Sequence, residues 1–362
     1  MSIDGDGDGD IGRAVRELDT PALWVDLDAL DANIATMMRV CSEAGVDWRP
    51  HIKASKSPPL AKRLIAGGAV GITCAKVGEA EVMTDGGIDD ILIANEVIGP
   101  QKIARLVALA RRATLCVAVD DERNLRELSA ASEHAGVNVD VLVDLNVGLA
   151  RCGIPPGEAP ALAQLVLDLP GVTLRGLMGY EGHVMGISDL EEKDAASHVA
   201  ADILAAAGIE ARVRSGGGTG NYWLAAQFGA LTEIQAGGGV LMDLTYMESM
   251  HVPGHRFALF LTEQVVSTAT LRRAAGDAGW KAMGQHTGRP RVIEPPGVHL
   301  RGLNAEHSIF ELDEGTAVAP GDRVTLVPHY SDSTVLLHRR MYAVRDGVVE
   351  DVWPVAAAGM LQ

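Results

Sequence analysis

Residues 114–147 read TLCVAVDDERNLRELSAASEHAGVNVDVLVDLNV, and the texture of this stretch changes twice. Residues 114–120 are short, apolar and β-branched, as a buried strand requires. Asp121–Ala135 carries helical periodicity, and residues 139–147 return to a strand pattern. The same alternation extends in both directions. Strand-like runs recur at 22–27, 46–54, 70–77, 90–97, 172–180, 211–216 and 231–237. Helices are expected between them at Asp28–Ala44, Pro58–Ala66, Pro100–Arg112, Glu158–Leu169, Leu190–Ala207 and Tyr222–Phe228. In the helix at 100–112, Ile103, Leu106, Val107 and Ala110 form one apolar face, while Lys102, Arg105 and Arg111 take the other. Ser188 and Asp189 open the helix at 190, and Gly208 ends it.

Eight or nine strands alternating with helices predict an α/β fold, a parallel (β/α)8 TIM-type barrel over residues 19–250. The rival, a doubly wound open sheet, would need a glycine-rich nucleotide turn after the first strand, and Asp26–Asp31 offers none. After Met250 helical patterns fade. Runs such as ALFLTEQVVSTA, GDRVTLVP, STVLLHRRMYAVRDG and VVEDVWPV predict a C-terminal β-rich domain over 251–362. Residues 1–18 read as a disordered acidic tail. The alternating Asp and Gly of Ser2–Gly12 resemble part of a calcium loop, but the glycine and distant glutamate of an EF-hand are not in place.

A net charge of −17 argues against a nucleic-acid partner, which needs a basic face. No apolar run reaches the length of a membrane span, and no secretory leader is evident. Cys41, Cys74, Cys116 and Cys152 lack CxxC spacing and sit in apolar runs, so small buried thiols in a reducing cytoplasm are expected.

Four features bear on chemistry. Lys53 lies at the end of VDWRPHIKA, where barrel strands deliver catalytic groups. A surface lysine is one reading. A desolvated lysine with a lowered pKa, suited to imine formation, is the other. Ser215-Gly216-Gly217-Gly218-Thr219-Gly220 joins a strand to a helix. It is either a tight turn or a cradle of backbone N–H groups for one phosphate, helped by the helix N-terminus. Arg151 follows directly after a strand. His329 and Asp332, in the segment Pro328–Asp332, are three apart and could ligate a divalent metal, or serve a structural turn.

Together these motifs resemble the fold-type III pyridoxal-phosphate (PLP) enzymes, an alanine-racemase-like barrel plus β domain. The resemblance is specifically to the branch of D-threonine aldolase, D-serine dehydratase and 3-hydroxy-D-aspartate aldolase. It covers Thr20 to Val355 and rests on TPALWVDLDALDANI, RPHIKASK, CAKVGEAEV, ANEV, the RCG at Arg151, SGGGTG, EIQAG, Met242-Asp243 and DSTV. It implies that Lys53 holds PLP as an imine, that Arg151 faces the pyridine nitrogen, and that Ser215, Gly217, Gly218, Thr219 and Gly220 hold the phosphate. Tyr180 and Gln235 join the cofactor-binding set, and His183 in GYEGHVMG is an acid/base candidate. Divalent Mn, Mg or Zn at His329 and Asp332 is implied, as is a homodimer.

Three departures stand out. Ala54-Ser55-Lys56 follow the lysine where Thr-His-Lys is usual. Gly238-Gly239 replace a small residue and tyrosine. Tyr330 occupies the usual metal-histidine position, with His329 one place earlier, so that a one-residue bulge would be needed to restore a His–Asp pair. Lost bulk at Ser55 and Gly239 suggests a roomier pocket. The expected activity is a PLP-dependent lyase acting on D-configured β-hydroxy-α-amino acids, by retro-aldol cleavage or the reverse addition, on a substrate larger than usual. A dehydratase is the alternative. A racemase using Tyr330 and a non-catalytic PLP carrier are further readings, though carriers of that kind lack the C-terminal domain.

Overall fold

The computed structural model describes residues 8–362, with side chains from Gly9 onward. Its strands are β1 (Ala22–Asp26), β2 (Asp47–Trp48), β3 (Ile72–Cys74), β4 (Asp90–Glu96), β5 (Thr114–Val119), β6 (Val139–Leu145), β7 (Val172–Gly179), β8 (Val213–Gly216) and β9 (Glu233–Ile234). The helices among them are α1 (Leu27–Ala44), α2 (Pro58–Ala66), α3 (Val77–Asp85), α4 (Pro100–Leu109), α5 (Glu122–Ala135), α6 (Ala159–Asp168), α7 (Leu190–Ala205) and α8 (Tyr222–Ala225). Beyond them come β10 (Leu259–Ser267), β11 (Arg273–Gly276), β12 (Arg291–Glu294), β13 (Val298–Leu303), β14 (Ser308–Leu312), β15 (Arg323–Val327), the short α9 (Ser331–Val335), β16 (Arg340–Arg345) and β17 (Val348–Pro354).

Eight strands form one all-parallel sheet in the order β2-β9-β8-β7-β6-β5-β4-β3. The ends meet through a single bridge between His51 and Thr73, with Thr73 N–H donating to Pro50 O. Pro50 has no N–H to extend a ladder, so β2 is short and the chain turns at once into the segment carrying Lys53. Leu92, Ala118, Leu142 and Met178 pack inside the barrel. The larger apolar core lies between the sheet and its helices. Helix starts follow the expected chemistry: Asp26, Asp121 and Asp189 each cap a helix by accepting an N–H with the side chain.

Two expectations change. The first strand does not enter the barrel. β1 pairs antiparallel with β10 and parallel with β16, in the middle of the C-terminal sheet. Its apolar residues are buried as a strand's should be, but between neighbours more than 200 positions away in sequence. The tail expected over residues 1–18 also changes at its C-terminal end. Gly12 N–H donates to Val349 O and Val15 N–H to Gly347 O, so residues from about 10 onward are fastened to the β16–β17 hairpin. Residues 1–7, where most of the Asp-Gly alternation falls, lie outside the described residues. No helix among those described is long and apolar enough to cross a membrane.

Candidate active site

Lys53 lies in a turn of 3₁₀ helix, Ile52–Ala54, just after β2. His51 accepts the Lys53 N–H through Nδ1 at 3.3 Å. The Lys53 side chain lines a cavity of about 410 Å³. Its Nζ donates to Asp332 Oδ2 at 2.8 Å, and Tyr330 Oη is 3.5 Å away. Both partners come from the C-terminal domain, at the start of α9. The Lys53 side chain is partly exposed. Burial pulls its pKa down, but the carboxylate of Asp332 and then Tyr330 outweigh it, and the net direction is up. The lowered lysine pKa expected from desolvation is therefore reversed by an acid 279 positions distant.

The same cavity is lined by Gly217, Gly218 and Thr219, and by Gly237 and Gly238. Gly217 has φ +79°, a conformation an L side chain rarely adopts. Thr219 Oγ1 accepts Gly238 N–H at 3.0 Å, which leaves its own proton to donate. The helix after this turn is weaker than expected. α8 spans four residues before giving way to a 3₁₀ turn at Ala226–Phe228, so its dipole adds little to an anion site.

Ser215 does not face the cavity. It is buried, donates to Glu233 Oε1 at 2.7 Å and accepts from Gln235 Nε2 at 3.0 Å. Glu233 in turn accepts Arg49 Nε at 2.7 Å, and Arg49 pairs with Asp90 at 2.6 Å. This buried chain fixes the amide of Gln235, which does line the cavity. Gly220 packs behind the turn, against Met185 and Met250. Arg151 and Tyr180 line the cavity together, the guanidinium carbon 5.3 Å from the ring centroid.

His183 stands apart. It is exposed, its ring lies against Gly148, and it is not among the cavity-lining residues. In the same segment it is Glu181 that is buried, accepting Asn221 Nδ2 at 2.8 Å and Gly217 N–H at 3.4 Å behind the glycine turn. The expected metal pair also separates. His329 Nδ1 lies 3.0 Å from both Thr245 Oγ1 and Thr287 Oγ1, in a second cleft of about 360 Å³ shared with Glu248 and Arg291. Asp332 instead engages Lys53. No bulge restores the pair: α9 begins at Ser331, directly after the extended Tyr330, and Asp332 and His329 go to different partners. Among the described residues no three His, Cys, Asp or Glu gather as a metal site. The donor set does not fit a divalent ion.

Nor do Ser55 and Gly239 enlarge the cavity. Ser55 is buried with its hydroxyl on Ile52 O, and a side chain at Gly239 would meet Thr219 and His255. His51 is a lining residue that the sequence reading missed. Burial, then the positive charges of Lys53, Lys56 and Arg151, holds its imidazole neutral. Its place two residues before the lysine was the available signal. For PLP the fit is good: the cavity is lined by an amine, a glycine turn with a hydroxyl that has its proton to donate, and an arginine.

Comparison with known proteins gives the family. The family described as alanine racemase, N-terminal domain, matches residues 25–244, and the putative serine dehydratase domain matches 258–344. The chain is 39% identical to a D-threonine aldolase of Arthrobacter sp over 96% of its own length and 95% of the relative's. It is 36% identical to a 3-hydroxy-D-aspartate aldolase of Paracoccus denitrificans, covering 96% and 94%. The crystal structure of D-threonine aldolase from Filomicrobium marinum superposes with a TM-score of 0.93 at 36% identity, covering 97% of this chain and 99% of the other.

Proposed function

The chain belongs to the alanine-racemase family of barrel proteins, in the branch with a dehydratase-type second domain, and from that premise we propose that it is a PLP-dependent aldolase of D-configured β-hydroxy-α-amino acids. The observation that supports this reading is Lys53, whose Nζ meets Asp332 and Tyr330, sharing with Tyr330 the cavity that the glycine turn also lines. Lys53 would hold the cofactor's aldehyde carbon, the Gly217–Thr219 turn its phosphate and Arg151 its ring nitrogen. When bound, PLP supplies an electron sink for a pair left on the substrate's α-carbon.

The chain's own residues then manage protons. Arg151 would donate a hydrogen bond to the ring nitrogen, which would moderate the sink. Asp332 and Tyr330 receive the substrate's β-hydroxyl. As the Cα–Cβ bond breaks, Asp332 takes the hydroxyl proton and the oxygen becomes the carbonyl of the departing aldehyde. The bonding pair stays on Cα, and the Lys53 ammonium returns a proton there, giving glycine. No step is assigned to a metal. A homodimer, as the resemblance implies, and a cytoplasmic location, as the cysteine usage suggests, belong to the same proposal.

Product analysis with D-threonine and related D-β-hydroxy amino acids, with and without chelator, tests the reading. Aldehyde and glycine in equal amounts are expected, with a rate about 10²-fold lower in Asp332→Asn and Tyr330→Phe. A 2-oxo acid with ammonia would make the chain a dehydratase, and the opposite enantiomer alone would make it a racemase.

A further inference from the structure

Lys193, in the first turn of α7, is wholly buried, yet no Asp or Glu among the described residues pairs with it. Its Nζ donates to Met250 O at 2.8 Å and to Gly220 O at 3.4 Å, and sits 5.9 Å from the Trp223 ring centroid. A buried ammonium without a counter-charge is costly, and the start of a helix, where N–H groups point outward, makes it more so. The acids of the same turn, Asp189, Glu191 and Glu192, are exposed. Glu181, the buried carboxyl behind the same loop, is taken by Asn221 and the Gly217 N–H. Burial alone, with nothing opposing it, pulls the Lys193 pKa down, so an anion near it is what would keep it an ammonium.

The glycine turn supplies a second, independent observation. A cradle made of backbone amides should aim its N–H groups at the anion. Here Gly217 N–H goes to Glu181 and Gly218 N–H to Asn221 Oδ1 at 3.1 Å, both on the protein side. The turn thus reaches the cavity with two of its donors already engaged, and the helix behind it is only four residues long. Neutral dipoles alone make a weak seat for a dianion. Among the described residues, the one buried cation bonded to this turn is Lys193, through the carbonyl of Gly220.

We propose that Lys193 is the buried counter-charge of the cofactor's phosphate, a positioning residue that acts through the Gly220 carbonyl and the 217–220 turn. This rests on the PLP reading above. Charge is balanced only when the phosphate is seated, so Lys193 ties the turn, the 245–250 segment and cofactor occupancy together. It touches neither substrate nor the reacting atoms.

The full-length protein, resolved of cofactor, is titrated with PLP and with pyridoxal, which lacks the phosphate, by visible absorbance. In Lys193→Met, PLP affinity is expected to fall at least tenfold while pyridoxal affinity stays within twofold. Lys193→Arg restores most of the PLP affinity. Equal losses for both ligands, or no loss for either, overturn the proposal. Wild-type protein that binds neither ligand overturns the PLP reading itself. A phosphorus NMR titration of the wild-type holoprotein is independent of how the variants fold. The bound phosphate signal is expected to stay flat between pH 8 and 5.5, whereas a midpoint near 6, about where a free phosphate monoester takes its second proton, counts against a counter-charge.

Discussion

Lys53 was legible in the sequence because a barrel delivers its chemistry at strand ends, and VDWRPHIKA places a lysine there. Its partner was not. Asp332 was read as half of a metal pair, since His329 and Asp332 are three apart, and nothing local says that α9 turns the acid toward a lysine 279 positions earlier. His255 shows another residue-scale consequence. It is buried, its Nε2 lies 2.8 Å from Tyr222 Oη, and burial pushes its pKa down to about 4. The unfolded imidazole takes a proton near pH 6.5, before the folded one does. Its contribution is therefore complete above about pH 6.5 and is lost as pH falls toward 4. By pH 5 the loss is about 2 kcal/mol. Urea unfolding at pH 7 and pH 5 should show that difference between wild type and His255→Gln, which has no proton to gain. An identical pH slope in the two proteins would contradict this account of His255.

At the scale of elements, the helices were the readable part. Asp121 before α5, Gly136 after it and Pro100 opening α4 are local signals, and local geometry obeys them. The strands were harder. β1 looks like any buried strand, because side-chain texture reports burial and not which sheet provides it. α9 was hidden in a run of Ser, Thr and Val that favours extended backbone. The contact of β9 with the Lys53 turn was equally invisible, and it is tight. His51 N–H donates to Gln235 O at 2.9 Å, and a Cβ at Gly237 would stand 2.1 Å from His51 O and 2.7 Å from His51 N. These are backbone atoms, so one segment must move. Gly237→Ala is expected to cost about 2 kcal/mol of stability and to weaken PLP binding together. Gly239→Ala meets Thr219 Cγ2 at 3.3 Å as its nearest neighbour and should cost less on both counts. Thermal melts with and without added PLP compare the two variants. Equal effects would mean that the β9 contact does not position Lys53.

At the scale of the molecule, the site belongs to both domains. The barrel contributes Lys53, Arg151 and the glycine turn, while the C-terminal domain contributes Tyr330 and Asp332. The two are not beads on a string. β1 leaves the N-terminal segment to become an inner strand of the second sheet, and Trp24 of β1 stacks on Phe260 of β10 with centroids 4.6 Å apart. A barrel with an appended β domain was the right architecture to expect, but the boundary at residue 19 divides what the sheet joins. Interleaving of this kind holds α9 over the mouth of the barrel, which is what lets an acid from one domain meet an amine from the other.

The account stands on the amine of Lys53 being the point where PLP is attached. Freshly purified protein is reduced with borohydride, digested and mapped by mass spectrometry. A visible absorbance band lost on reduction, with one phosphopyridoxyl group on Lys53 and none in Lys53→Ala, is the predicted result. A colourless protein, or an adduct on Lys56 or Lys193 in place of Lys53, would contradict it.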